Sequence, residues 1–326
     1  MLRRVLAAVQ LVRPAQWIKN VFVFAALVFA KQGELQPLLR AVEAFGIFCL
    51  LSGAVYALND LMDAREDALH PTKRLRPVAG GRLSPLAAGV IAVALAAVGT
   101  YFALAMPRGF AVTAVSYLLL NLFYSIWGKH RVLLDVILIA IGFVLRALAG
   151  AQAIEVEVSA WLVICTFTLC LFLGFGKRRC ELAVMQNKDD AVAHRATLAS
   201  YTPELLTQLL STTGGIAVIT FLLYTLDPRS PSPRSMVFTT PLVFYAIFRY
   251  AMVISRGQRT GPTDVFIRDR PFLLTAVVWT LITLGFMFHG DWIERYLPAL
   301  RYPGMPVASQ PYGGIGGGGP IVGDRD

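Results

Sequence analysis

Nine apolar runs shape what this chain can fold into, at about residues 17–30, 38–58, 85–106, 110–127, 132–154, 158–176, 205–226, 237–254 and 272–290. Most are long enough to cross the ~30 Å hydrocarbon core of a bilayer as a helix. Inside a membrane no water is available to backbone N–H and C=O groups, so only helices or a closed barrel can span it, and unbroken runs of this length select helices. Composition agrees, with 56% of the residues hydrophobic and 15% charged and a mean hydropathy of +0.61. The expected fold is an all-α polytopic membrane protein, with nine transmembrane helices around a cavity that opens to the cytoplasmic face. The first span, "WIKNVFVFAALVFA", is the weakest, since Lys19 must snorkel at its end.

Residues 1–16 read as an amphipathic segment lying on the membrane surface. They do not read as a cleaved signal, because Gln10 interrupts a short apolar stretch and no small-residue cleavage site follows. Residues 17–290 then form the nine-helix membrane domain, and the Gly- and Pro-rich segment 301–326 reads as a disordered tail. If the N-terminus is inside, the N-terminal segment and the loops after spans two, four, six and eight face the cytoplasm. Those segments hold most of the 30 Lys and Arg, whereas the opposite loops hold Lys31, Arg108, Arg229 and Arg234. The formal net charge of +10 is thus gathered on one face, where it attracts anionic lipid and anionic substrates. Nucleic acid is not implied, because no soluble domain remains to hold it. Cys49, Cys165, Cys170 and Cys180 lack paired spacing and read as packing residues, neither a disulfide framework nor a zinc site.

After the second span comes the charge-dense stretch "LNDLMDAREDALHPTKRLRP". On a continuing helix, Asp60, Asp63 and Asp67 share one face, and Glu66 points elsewhere. Clustered carboxylates repel one another unless a cation sits between them. Oxygen-only ligands suit Mg²⁺, which commonly bridges to a substrate's phosphates, and Asn59 adds a neutral oxygen. Lys73, Arg74 and Arg76 follow within reach, and a metal flanked by cations suits a diphosphate. An ordinary solvated loop is the plain alternative. Lys129 and Asp135 after span four, Lys177, Arg178, Arg179 and Glu181 after span six, and Asp264, Arg268, Asp269 and Arg270 after span eight repeat the theme. Lys19 joins this phosphate-binding set. Arg146, deep in span five, costs at least ~2.5 kcal/mol unpaired and needs an acidic partner or an anionic ligand. Arg40, Glu43 and Arg249 also fall in or near spans.

"NDLMDAREDALHPTKRLRP" resembles the first aspartate-rich motif, N-D-x-x-D-x-x-x-D, of the UbiA intramembrane prenyltransferase superfamily. The resemblance implies nine transmembrane helices and a cytoplasmic Mg²⁺ site held by Asp60, Asp63 and Asp67. Most members carry a second aspartate-rich motif after helix six, where this chain has the basic "GFGKRRCELAV". That departure, with "RPAQWIKN", "DVILIAIGFVLRALAG" and "PTDVFIRDRP", is similar to the decaprenyl-phosphate phosphoribosyltransferase branch. The branch implies transfer of 5-phosphoribose from phosphoribosyl diphosphate to a polyprenyl phosphate at the inner membrane, for arabinan precursor synthesis in the cell wall. Lys73, Arg76, Lys177, Arg178, Arg179 and Arg146 would then balance the phosphates. Rival readings are a prenyltransferase acting on an aromatic acceptor and a lipid-phosphate transporter. The expected partners are the two substrates and the membrane, with a homo-oligomer left open.

Overall fold

The computed structural model describes residues 2–29, 35–69, 73–186, 200–227, 234–256, 265 and 268–296. Segment 301–326, Lys31 and Asp264 lie outside the described residues. Among those described, every regular element is helical. The chain opens with α1 (Leu2–Val12), a 3-10 stretch (Pro14–Phe24) and α2 (Ala25–Phe29), followed by α3 (Leu35–Met62) and the short α4 (Ala64–Leu69). Next come α5 (Pro85–Ala105), α6 (Arg108–Ile126), α7 (Leu134–Ala153) and α8 (Ala160–Gln186). Last are α9 (Pro203–Leu226), α10 (Thr240–Ser255) and α11 (Arg270–Tyr296). Nine described segments are long and apolar enough to cross a membrane, so the chain is a multi-pass membrane protein. The first of them, Arg4–Val28, takes in α1 as well as the 3-10 stretch and α2 by length and composition, although the chain turns between α1 and the 3-10 stretch.

Local chemistry sets several boundaries. Ser84 and Thr202 cap α5 and α9 by accepting from the backbone N–H three residues on, and Pro85 and Pro203 follow where the lost N–H costs nothing. Before Pro14 the chain turns sharply, with Arg13 at φ 51°, the left-handed region that few side chains adopt.

Large apolar side chains on the outer faces, such as Leu86, Val93, Tyr101 and Phe248, are exposed, as a hydrocarbon surround allows. The interior divides into patches. One joins the 3-10 stretch, α3, α6 and α7 through Val23, Phe48, Leu51, Phe110, Tyr117 and Ala149. A second joins α8 to α11 through Phe172, Tyr250 and Phe272. A third ties α1 to α3 and α5 around Leu11, Ala57 and Ala88. In α1, then, one face is covered by protein while Val5, Leu6 and Val9 stay exposed.

The 3-10 stretch lies deep between α3 and α7 because α7 offers no side chain where it crosses. A Cβ on Gly150 would stand 1.8 Å from the Val23 carbonyl oxygen. Gly150→Ala is therefore expected to push the 3-10 stretch off α7, costing about 1–3 kcal/mol. A lowered Tm of the purified protein in detergent would show it, and an unchanged Tm would mean that the contact does not constrain the fold.

Candidate active site

At the end of α3 the helix runs into α4 through Asp63 alone, and the backbone keeps its helical hydrogen bonds: Asp63 N–H to the Asn59 carbonyl at 2.9 Å and Asp67 N–H to that of Asp63 at 2.8 Å. Asp60 and Asp67 are buried, and Asp63 is partly so. Each carboxylate meets a cation of the protein. Asp60 takes Arg13 Nη2 at 3.2 Å and Arg76 Nε at 3.9 Å, and its second oxygen accepts from Val78 N–H at 3.3 Å. Arg76 also bonds Asp67 and so stands between two carboxylates. Asp63 pairs with Lys129 from the loop after α6. The mutual repulsion expected of clustered carboxylates is thus relieved by guanidinium and ammonium groups.

Asn59 differs from its expected role, since its side-chain oxygen is occupied by the Ser125 hydroxyl of α6. It ties α3 to α6. Among the described residues, no three His, Cys, Asp or Glu side chains converge closely enough to hold a metal by themselves. The donor chemistry still fits Mg²⁺, which usually takes one or two carboxylates and completes its shell with water and substrate phosphates. Asp63 Oδ2 and Asp67 Oδ1, the oxygens not engaged by Lys129 and Arg76, are the candidates.

The basic run after the sixth span splits three ways on one helix. Arg178 turns inward and is buried: its Nε lies 2.9 Å from Asp135 Oδ2, misaligned for a hydrogen bond but close enough for an ion pair, and it also bonds Glu181. Tyr201 completes this cluster by donating to Asp135 at 3.1 Å and accepting from Leu133 N–H at 2.7 Å. Burial, with help from the neighbouring Asp135, pushes the Tyr201 phenol up to about 12, so it remains a donor at neutral pH. Arg178, expected to meet a phosphate, faces Asp135 and Glu181 here and so ties α7 to α8. Lys177 is half-exposed and 3.8 Å from Glu181. Arg179 is partly buried, with its Nε lacking a hydrogen-bond partner.

Arg146 is buried, and no carboxylate among the described residues pairs with it. Its Nε donates to Asn20 at 2.9 Å, Nη1 to the Gly142 carbonyl at 2.9 Å and Nη2 to the Tyr117 hydroxyl at 2.8 Å. The acidic partner considered from the sequence is absent there. Lys19, next to Asn20, lies within the electrostatic reach of Lys177, Arg146 and Arg13. Lys73 is half-buried on the 3-10 turn Lys73–Leu75, whose carbonyl accepts from Arg76 N–H at 2.9 Å. Arg249 and Asp269 form a two-pronged pair at 3.0 and 2.9 Å, and Arg40 bonds Glu155.

The loops after spans two, four and six are thereby linked in series, through Asp63 to Lys129 and through Asp135 to Arg178. An open apolar groove of about 670 Å³ on the outer face of α5, beside Leu61 and Val90, carries almost no polar surface and offers nothing to phosphate. Arg13, Asn20, Tyr117 and Ser125 were not identified as site residues from the sequence. Arg13 and Asn20 are the ends of the quoted "RPAQWIKN" but were not singled out within it, and Tyr117 and Ser125 sit in an apolar run without a distinguishing pattern.

Comparison with known proteins puts this geometry in context. Residues 20–275 match the model of the UbiA prenyltransferase family. A decaprenyl-phosphate phosphoribosyltransferase from Corynebacterium glutamicum is 32% identical over 280 residues, which cover 83% of this chain and 83% of that protein. One from Mycobacterium tuberculosis is 31% identical over 286 residues, covering 86% and 94%. In structure, a UbiA homolog from Archaeoglobus fulgidus bound to GPP and Mg²⁺ superimposes with a TM-score of 0.66 at 18% identity, covering 86% of this chain and 99% of that one.

Since Arg178 and Asp135 neutralise each other out of water, removing one partner strands the other. Arg178→Ala is expected to cost about 3–5 kcal/mol, and Arg178→Met combined with Asp135→Leu to recover most of it. Thermal unfolding in detergent checks both. An Arg178→Ala protein as stable as the parent would show that the pair does not hold α7 to α8.

Proposed function

The chain belongs to the UbiA prenyltransferase family, and from that premise we propose that it transfers 5-phosphoribose from phosphoribosyl diphosphate to a polyprenyl phosphate, releasing diphosphate. The observation that carries the reading is the basic end of α8. Where a second acidic motif would hold another metal, Lys177 stands within electrostatic reach of Lys19, which Arg146 and Arg13 also reach. The similarity to proteins named decaprenyl-phosphate phosphoribosyltransferase supports the same choice. By the distribution of Lys and Arg, the carboxylate end faces the cytoplasm, where a soluble, highly charged donor is available. The reading puts the reaction at the inner membrane and, by the branch the chain resembles, in arabinan precursor synthesis for the cell wall.

The chemistry asks little of the side chains beyond position and charge. A new bond forms between an oxygen of the lipid phosphate and the anomeric carbon, and the bond from that carbon to the diphosphate oxygen breaks, with the electron pair leaving on the diphosphate. The nucleophile is already an anion near neutral pH, so no general base is required. Asp63 and Asp67 would hold Mg²⁺, which when bound supplies Lewis-acid stabilisation of charge developing on the leaving group.

Before ligand arrives, Lys129 and Asp63 neutralise each other. A diphosphate arriving here could take Lys129 as its cation, which would release Asp63 as the carboxylate to hold the metal. Arg76, positioned by Asp60 and Asp67, supplies a second cation at the same level. Arg13 anchors Asp60 from the opposite side and stacks over Tyr56 at 5.4 Å.

Purified protein given labelled phosphoribosyl diphosphate and polyprenyl phosphate is expected to release diphosphate and to move the ribose label into lipid, and to stop when Mg²⁺ is chelated. Consumption of a prenyl diphosphate with an aromatic acceptor instead, or no transfer at all, would overturn the reading. Asp63→Asn should lower kcat by about 10²-fold or more while leaving the elution profile of the purified protein unchanged. Undiminished turnover would remove Asp63 from the site.

A further inference from the structure

The cations of this protein fall into two groups. Arg13, Arg76, Lys129, Arg178 and Arg249 each face a carboxylate. Arg146 does not: each of its three nitrogens donates once to a neutral partner, an amide oxygen, a backbone carbonyl and a phenol. It is also stacked 4.7 Å from the centre of the Tyr117 ring and 5.2 Å from that of Phe143. A buried guanidinium solvated in this way keeps its charge and its field.

Its depth is fixed from two sides. Asn20, which accepts from Arg146, donates to Ser52 at 3.1 Å, and Ser52 lies about two turns, or ~12 Å, along α3 from Asp60. On α7, Arg146 bonds the Gly142 carbonyl, again about two turns from the Asp135 end. The guanidinium therefore sits beneath the carboxylate level, toward the membrane interior. The two levels are continuous along one face of α3, since Asp60, Tyr56 and Ser52 follow each other at helical spacing. Tyr56 lies under Arg13 and within the electrostatic reach of Arg146 and Tyr117.

Below Arg146 the interior is closed. Phe48 and Phe110 are fully buried, and the Phe48 ring packs 5.1 Å from Tyr117 and 6.0 Å from Phe110. Whatever reaches the guanidinium from the carboxylate level must end there. A prenyl tail that entered here would meet a charge instead of hydrocarbon. Lys19 and Tyr56 are not fully buried, and with Phe48 and Phe110 packed below, the carboxylate side is the approach left to a ligand.

Resting on the proposed transfer reaction, we infer that Arg146 and Lys19, with Asn20 and Tyr117 orienting the guanidinium as neutral acceptors, form the subsite for the 5-phosphate of the donor. The diphosphate lies at the Asp63–Lys129 level, and the two levels are separated by a length comparable with a pentose phosphorylated at both ends. In this arrangement the deep cations select a sugar phosphate over a prenyl group.

Kinetics with three probes test this on purified full-length protein. Arg146→Gln is expected to weaken competitive inhibition by ribose 5-phosphate, and to raise the donor KM, by roughly tenfold or more, the loss of a charge-assisted hydrogen bond. Inhibition by inorganic diphosphate and the KM for polyprenyl phosphate should stay within about twofold of the parent. Lys19→Gln, at a less buried position, should show the same pattern to a smaller degree, and it decides the matter if Arg146→Gln does not fold. A raised KM for polyprenyl phosphate would assign these cations to the acceptor. An equal loss for all three probes would reduce them to a general field, and an unchanged ribose 5-phosphate constant would remove the subsite altogether. Each of those results overturns this inference alone. Absence of diphosphate release by the parent protein overturns the transfer reaction beneath it as well.

Discussion

Asp60 is buried at the end of a membrane helix, and the organisation of the site follows from the need to neutralise it there. Taking a carboxylate out of water costs several kcal/mol unless charge and hydrogen bonds replace the lost solvent. Two separate parts of the chain supply them: Arg13 from the first segment, and Arg76 and the Val78 N–H from the loop beyond α4. That requirement folds a highly charged loop back over the bundle instead of leaving it in solvent. It also fixes where the first segment turns at Arg13, and so brings the following 3-10 stretch, with Lys19 and Asn20, between α3 and α7.

The same logic repeats outward. Arg76 spans Asp60 and Asp67, Lys129 joins α3 to the loop after α6, and Arg178 with Asp135 and Tyr201 joins α7, α8 and the start of α9. These contacts differ in what they leave available. The Arg178 pair is dry and closed on itself, which suits a strut. Asp63 and Lys129 stand at an accessible edge, 21% and 11% exposed, where incoming charge can exchange partners with them. Burial thus separates residues that hold helices from residues that can meet substrate, although both are equally charged in the sequence.

That separation explains what could be read without coordinates. The spans were legible because a bilayer imposes a length and a polarity that short-range composition records directly. The carboxylates at Asp60, Asp63 and Asp67 were legible because helical spacing places them together and their repulsion demands a cation. The identity of the cation was not. Arg178 and Lys177 are neighbours in "GKRR", yet one turns inward to Asp135 and the other stays half-exposed, a choice made by the packing of α7 on α8. The roles of Asn20 and Tyr117 were hidden for a related reason. A single amide or phenol in an apolar run is ordinary, and only a shared partner 126 or 29 positions away gives it meaning.

Arg146 shows what neutral partners accomplish that a carboxylate cannot. An aspartate in place of Asn20 would satisfy the guanidinium equally well in geometry, and the pair would be nearly dipolar, with a field that dies away within a few ångströms. Asn20, Tyr117 and the Gly142 carbonyl lower the self-energy of the charge by orienting dipoles toward it, yet leave its net value intact. Lys19 adds to the same sign of potential when it could have cancelled it. A membrane interior is the costliest place to keep such a charge uncompensated. The arrangement therefore makes physical sense as one half of a contact whose other half is an anion carried in by the ligand.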